Sequence, residues 1–307
     1  MKKKPNKHLL ALLGLLSGSL ILTGGCNQIQ NTIFTSSQTV VAASPQKIPT
    51  NTIELTQHIR TLADSTIVKI KNQNSSGSGV LINYQDGKYQ ILTSAHVLSS
   101  SNSNYEVITP DGKTHTATVI NKGNTELGSD LGILAFNSTE TYQTAPFATD
   151  LPKEEETVFV AGFSLSDSAL ELTPGKVTIL LSQEMKGGYK IGYTNSTQQG
   201  MSGGAVFNTK GEIIGIHGKG FAILGNAYDY KNGIQPNSYL KKIMPNFSWA
   251  VPIENITQIA PGLKTPSQWA KRKQEEKSIA QVIEDVDVIA EKITVKIEPT
   301  NPALNFS

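Results

Sequence analysis

Three short segments of this 307-residue chain carry the side-chain types that acyl transfer needs. They are Leu92-Thr-Ser-Ala-His96-Val-Leu98, Gly128-Ser-Asp130-Leu-Gly-Ile-Leu134 and Gly200-Met-Ser202-Gly-Gly-Ala-Val-Phe207. A serine hydroxyl is a weak nucleophile at neutral pH and needs a base within hydrogen-bond reach, a role that imidazole suits. The imidazole needs a carboxylate to hold its tautomer and to stabilise the imidazolium that forms. On this reading Ser202 is the nucleophile, His96 the base and Asp130 the orienting acid. The developing oxyanion needs donors, and the backbone N–H groups of Gly200 and Ser202 are the expected pair; glycine at 200 permits a conformation that a side chain hinders. A lone histidine, or a lone Gly-x-Ser-Gly-Gly turn, carries little weight. Their joint occurrence in the order His, Asp, Ser, each at a predicted strand end, is far more specific.

The remaining histidines and aspartates lack such surroundings. His58 precedes the strands, and His115 follows a hairpin turn and is expected to face solvent. Asp111 sits in a Pro-Asp-Gly turn, where aspartate needs no further reason. Asp150 and Asp167 fall in predicted loops without the flanking pattern of Asp130. Nothing has metal-ligand spacing or the form of a phosphate loop, so no metal and no cofactor are expected.

The elements that must position these residues read as strands. Short alternating or apolar runs are predicted at 67–71, 77–83, 89–94, 105–109, 114–120 and 131–136. A second series follows at 158–162, 176–181, 189–193, 204–207, 212–217 and 248–253. Tyr84-Gln-Asp-Gly87 and Pro110-Asp-Gly-Lys113 are turn signals. Two runs of about six strands, parted near residues 140–155, suit two antiparallel barrels or sandwiches, and spacing alone does not choose between them. A short helix is expected over 51–63, with Ile53, Leu55, His58 and Leu62 on one face.

The three segments resemble the catalytic blocks of trypsin-like serine peptidases, in particular the disulfide-free bacterial branches, the HtrA-type proteases and the glutamyl endopeptidases. The resemblance covers about residues 60–255. It implies an all-β fold of two six-stranded antiparallel barrels with the site in the cleft between them, His96 and Asp130 from the first and Ser202 from the second. It implies a serine endopeptidase acting on protein or peptide substrates through an acyl-enzyme. Met201 stands where animal digestive members carry an aspartate that receives a new N-terminal amine, so that activation switch is not expected. Ser196 stands where trypsin has an aspartate, which disfavours Lys or Arg before the scissile bond. Thr197 and His217 fall where glutamyl endopeptidases carry a threonine and a histidine. A hydroxyl and an imidazole can receive a carboxylate, so Ser196, Thr197 and His217 are the candidate specificity residues and Glu the expected preference, with small or uncharged side chains as the rival. A catalytically silent protease-fold binding module, or an anchored protein-quality-control factor, is the alternative from another class.

Composition bounds the rest. A formal net charge of +2 and 7% aromatic residues give little support to a nucleic-acid surface. Residues 1–25 read as a signal peptide: four lysines among the first seven residues, then an apolar run to Leu22. Thr23-Gly-Gly-Cys26 resembles a lipoprotein cleavage box, making Cys26 the expected lipidated residue and a lipid anchor the one expected membrane contact. Localisation is then periplasmic or cell-surface, with plain secretion as the alternative. Cys26 is the single cysteine, so the folded part is held by its core without a disulfide. Residues 26–52 read as a polar tether, 53–262 as the peptidase domain and 263–307 as a C-terminal helical extension. The extension opens on the capping sequence Thr265-Pro-Ser-Gln268 and is too short for a separate peptide-binding domain.

Overall fold

The structure is a computed structural model that describes residues 51–73, 75–98, 104–166, 169–221, 228–266 and 269. Twelve strands form two closed antiparallel barrels of six. The first barrel is built from β1 (Ile67–Lys71), β2 (Ser76–Gln85), β3 (Lys88–Thr93), β4 (Tyr105–Ile108), β5 (Thr114–Lys122) and β6 (Gly132–Asn137). The second is built from β7 (Thr157–Phe163), β8 (Leu170–Leu180), β9 (Ile191–Tyr193), β10 (Ala205–Phe207), β11 (Ile213–Lys219) and β12 (Ser248–Pro252). Around the first barrel the strand order is β1-β2-β3-β6-β5-β4, and around the second β7-β8-β9-β12-β11-β10, so one topology occurs twice.

Most of these strands read as apolar runs because both of their faces are buried. In β7, Val158 and Val160 point into the second barrel, while Phe159 and Ala161 join a layer outside it. In β1, Val68 and Ile70 fill the first barrel, and Ile67 joins that same outer layer. The period-2 alternation of a strand therefore sorts apolar residues between a barrel core and a shared layer, rather than between core and water. Val80, Leu92, Ile133, Ala205, Phe207 and Ile216 add to this layer from both barrels. The linker between the barrels is tied to each: Ala145 donates to Leu81 O at 2.8 Å, and Ile213 donates to Pro146 O at 2.8 Å.

The differences from expectation have local causes. β8 starts at Leu170, six residues before the predicted start. It pairs with β9 only over Val177–Leu180, so Pro174 lies where one strand edge needs no donor. The β2–β3 turn is confined to Asp86 and Gly87, whose φ values of 52° and 77° suit a two-residue hairpin. His115 does not face solvent; it is half-buried with Nε2 3.0 Å from the Tyr142 hydroxyl and its ring against Phe136. The N-terminal helix α1 runs Thr52–Thr66, capped by Asn51 accepting from Glu54 N at 2.8 Å. Its inner face is Ile59, Leu62, Ala63 and Thr66, whereas Ile53 is 72% exposed. The expected extension helix past Thr265 lies outside the described residues except for Pro266 and Trp269; the latter is buried with its ring 6.0 Å from that of Phe147.

The revised helix face has a direct test. Ile59→Ala should destabilise the fold by about 2–5 kcal/mol, while Ile53→Ala should stay within about 0.5 kcal/mol. Urea unfolding followed by tryptophan fluorescence separates the two; equal effects would return Ile53 to the packed face.

Candidate active site

His96 occupies a short helical turn, Ala95–Val97, directly after β3. Asp130 precedes β6. Its Oδ2 lies 2.6 Å from His96 Nδ1, and its Oδ1 accepts from the His96 backbone N–H at 2.8 Å. The carboxylate thus fixes both the ring and the backbone of the histidine. The Asp130 side chain is 4% exposed and that of His96 41%, so a buried carboxyl group supports an accessible imidazole.

A third group reaches this carboxylate. The Tyr189 hydroxyl donates to Asp130 Oδ2 in a short hydrogen bond. Burial first, and then the neighbouring Asp130 charge, push the Tyr189 phenol well above its usual 10, so it remains a donor. Tyr189 follows a tight turn at Lys186–Gly188, and Gly187 O of that turn accepts from Asp130 N at 2.7 Å. The tyrosine hydroxyl fills the space that a side chain at position 218 would take, which explains Gly218.

Ser202 lies in the turn between Gly200 and Gly204, leading into β10. Gly200 and Gly203 have φ of +94° and +87°, in the left-handed region where glycine is favoured. A side chain at Gly203 would strike Ser78 O and Thr93 Oγ1, and one at Gly200 would come within 2.6 Å of Phe163 O. The turn is held from both barrels. Ser78 of β2 donates its N–H to Ser202 O and its Oγ–H to Gly200 O, each at 2.8 Å, and its Oγ accepts from Phe163 N at 2.7 Å. Gly203 donates to His217 O at 2.8 Å and His217 donates to Gly204 O at 2.9 Å.

These bonds decide where the amides point. Gln199 O accepts from Leu165 N at 2.8 Å, and Met201 O accepts from Gly204 N at 2.9 Å. In a trans peptide the N–H points opposite to the C=O. The Gly200 and Ser202 N–H groups are therefore turned away from those partners, and among the described residues neither is donated to a backbone carbonyl. Among the described residues Ser202 Oγ makes no hydrogen bond, so the structure pairs the His96 ring with Asp130 and not with Ser202.

The three expected specificity residues differ in setting. Ser196 is exposed. Thr197 is half-buried with Oγ1 2.9 Å from Ser248 Oγ. His217 is 2% exposed, its Nδ1 2.7 Å from the Tyr193 hydroxyl. Burial, and next the nearby His96, lower the His217 pKa to about 3, so the ring is neutral. Burial also holds the Tyr193 phenol well above 10, and we assign it as the donor to Nδ1, which leaves the ring proton on Nε2. Cys26 lies outside the described residues.

Residues 77–216, which span this geometry, match the family of the trypsin-like peptidase domain. The chain contains a trypsin-like peptidase domain. The Do-like HtrA serine protease of Lactobacillus helveticus is 33% identical over 149 residues, covering 47% of this chain and 35% of that protein. Its counterpart in Bacillus subtilis (strain 168) is 31% identical over 174 residues, covering 50% and 38%. The chain thus spans little more than a third of these relatives. A solved serine endoprotease from Yersinia pestis aligns with a TM-score of 0.50 at 21% identity, over 69% of this chain and 66% of that one. The inactive form of the Rv3671c protease of M. tuberculosis gives 0.51 at 17% identity, over 70% and 97%. These structural likenesses support the two-barrel fold of the peptidase domain.

Sequence reasoning missed Tyr189 and Ser78, because neither lies in a motif and each acts across the chain. Ser78 stands in Gly77-Ser-Gly79, and two glycines beside a serine inside a strand are the one signal that a backbone approaches closely there.

The geometry of this peptidase domain can be tested at two residues. Tyr189→Phe keeps the ring and removes one hydrogen bond to a charged group, so kcat/KM on a peptide substrate should fall about tenfold; an unchanged value would make the contact dispensable. The second test concerns acid stability. The unfolded chain protonates His217 near 6.5 and the folded chain near 3. The unfolded state therefore binds the extra proton, and stability is lost as pH falls from about 6.5 towards 3, by roughly 1 kcal/mol per unit. In His217→Gln this part of the slope should vanish in urea titrations between pH 6.5 and 4.

Proposed function

We propose that the chain is a serine endopeptidase in which Ser202, His96 and Asp130 act as the triad. Ser202 Oγ attacks the peptide carbonyl carbon while His96 Nε2 takes its proton. The Gly200 and Ser202 amides hold the oxyanion, each such donor contributing about 2.7–4 kcal/mol to lowering the barrier. His96 then gives the proton to the leaving amine. Water, activated by the same imidazole, hydrolyses the acyl-enzyme. Asp130 stays ionised throughout, holding the Nδ1 proton and stabilising the imidazolium.

The observation that carries this reading is the His96–Asp130 pair, with the ring anchored on a buried carboxylate and nearly half its surface open. The orientation of the Gly200 and Ser202 amides supports it. The peptidase-family match over residues 77–216 fits the same reaction class.

For the residue before the scissile bond we propose Glu, received by Thr197 Oγ1 and the neutral Nε2–H of His217, with Ser196 at the rim. A neutral donor suits this role, since it satisfies a carboxylate without a buried cation in the empty pocket. Export by a signal peptide to residue 25 and lipidation at Cys26 complete the proposal, both on residues outside the described structure.

The test is cleavage of a peptide library by the full chain, beside Ser202→Ala, His96→Ala and Asp130→Asn. A fluorophosphonate should label Ser202, and Ser202→Ala should lose about a millionfold in kcat. Cuts after Glu that disappear in this variant support both halves of the proposal. Cuts after another residue keep the triad and discard the Glu pocket. Folded wild-type protein that neither labels nor cuts moves the reading to a latent enzyme or a binding module.

A further inference from the structure

A cavity of about 440 Å³ lies beside the His96 imidazole. Its walls come from three places. The loop before Asp130 supplies Thr125 and Glu126, the turn before β9 supplies Lys186 and Tyr189, and the end of β11 supplies Gly218 and Lys219. Gly200, Thr197, Ser202 and His217 are not among its lining residues. An occupant of this space is therefore a different part of the substrate from the carbonyl that Ser202 attacks and from the side chain that Thr197 and His217 receive.

The cavity carries two ammonium groups and two carboxylates, and the carboxylates are either engaged or displaceable. Lys219 Nζ stands 4.5 Å from the centre of the Tyr189 ring, an arrangement that holds an ammonium in place over an aromatic face. Lys219 is half-buried, and that burial lowers its pKa. A cation partly withdrawn from water gains more from an incoming carboxylate than an exposed one does. Lys186 Nζ is 3.7 Å from Glu126 Oε2, longer than a good hydrogen bond, and the Glu126 side chain is 69% exposed and able to swing aside. The other acid in the wall, Asp130, is occupied by His96 and Tyr189. A lysine or arginine of the substrate entering here would meet two ammonium groups; an aspartate or glutamate would meet two donors.

We infer that this cavity is a subsite for the carboxylate side chain of a substrate residue flanking the one cleaved, with Lys219 and Lys186 as the groups that read it. The inference rests on the peptidase reading above and extends it to acidic segments, read at a position independent of the Thr197–His217 pocket.

The full chain is first titrated with a fluorophosphonate, which counts active Ser202. Peptides differing only by Glu or Gln are then compared, one position at a time on either side of the scissile bond. The expected result is a Glu-to-Gln ratio in kcat/KM of about tenfold at one flanking position at low salt, the size of one charge-assisted hydrogen bond. The ratio should fall towards one in Lys219→Gln, and Lys219→Glu should favour a Lys-bearing peptide over a Glu-bearing one. The ratio is the readout because it cancels any effect of the variant on folding or on Ser202. A labelled enzyme with a ratio near one at every flanking position overturns the subsite and leaves the peptidase standing. So does a ratio that neither variant moves. Folded protein that no fluorophosphonate labels overturns the peptidase reading, and the subsite with it.

Discussion

Ser78 is hydrogen-bonded through its N–H, its hydroxyl and its carbonyl, and the geometry around Ser202 depends on it. It belongs to the first barrel, while the carbonyls of Gly200 and Ser202 that it holds belong to the second. His96 and Asp130, the proposed base and its carboxylate, sit on the first barrel. A displacement of about 1 Å between the barrels is enough to spoil an attack trajectory. The apolar layer between the barrels resists separation but is poorly directional. Ser78 adds direction, because its N–H and Oγ are satisfied only at one register. Glycine at 203 follows from the same constraint, since the turn passes so close to Ser78 O that no side chain fits.

The second constraint is the burial of Asp130. A nearly enclosed carboxylate is costly unless each oxygen is met by donors. Oδ1 has the His96 backbone N–H, and Oδ2 has the His96 ring and the Tyr189 hydroxyl. Two of these donors come from His96 itself, so the carboxylate is satisfied only while the histidine stays in its turn. Tyr189 comes from the second barrel, so this carboxylate is a second tie across the cleft. The glycine at 218 and the tyrosine at 189 form one arrangement: the hydroxyl is admitted because position 218 has no side chain.

These constraints also explain what the sequence makes legible. All twelve strands can be read from short runs: some, such as Leu131–Phe136, are apolar throughout because both faces are buried, and others, such as Ile67–Lys71 and Thr114–Lys122, show by their alternation and flanking turns. Barrel closure cannot be read that way, since it is a property of pairings between strands such as β1 and β4. The helix face fails for a related reason. Ile53 and Ile59 are equally apolar in composition, and only the packing surface beneath α1 distinguishes an exposed first turn from a buried third. At the candidate site, the residue types and flanks of His96, Asp130 and Ser202 point to one reaction, and the structure brings the first two into contact. Tyr189, Ser78 and Lys219 are not, because a tyrosine, a serine and a lysine have many other uses and act here only through contacts set by the fold.

His217 joins the two kinds of constraint in one residue. Its backbone accepts from Gly203 N and from Ser94 Oγ at 3.0 Å, and donates to Gly204 O, so it supports the turn that carries Ser202. Its side chain, neutral and bonded to Tyr193, is the proposed reader of a substrate carboxylate. A charged ring at this position would need a counter-ion in the empty pocket, and any such acid would repel the Glu it is meant to receive. Neutrality avoids both costs. On the proposed reading this pocket contributes hydrogen bonds and little net charge, and attraction of acidic segments is left to Lys186 and Lys219 beside His96. Contact specificity and electrostatic attraction are, on that same reading, divided between two places, the Thr197–His217 pair and the cavity beside His96.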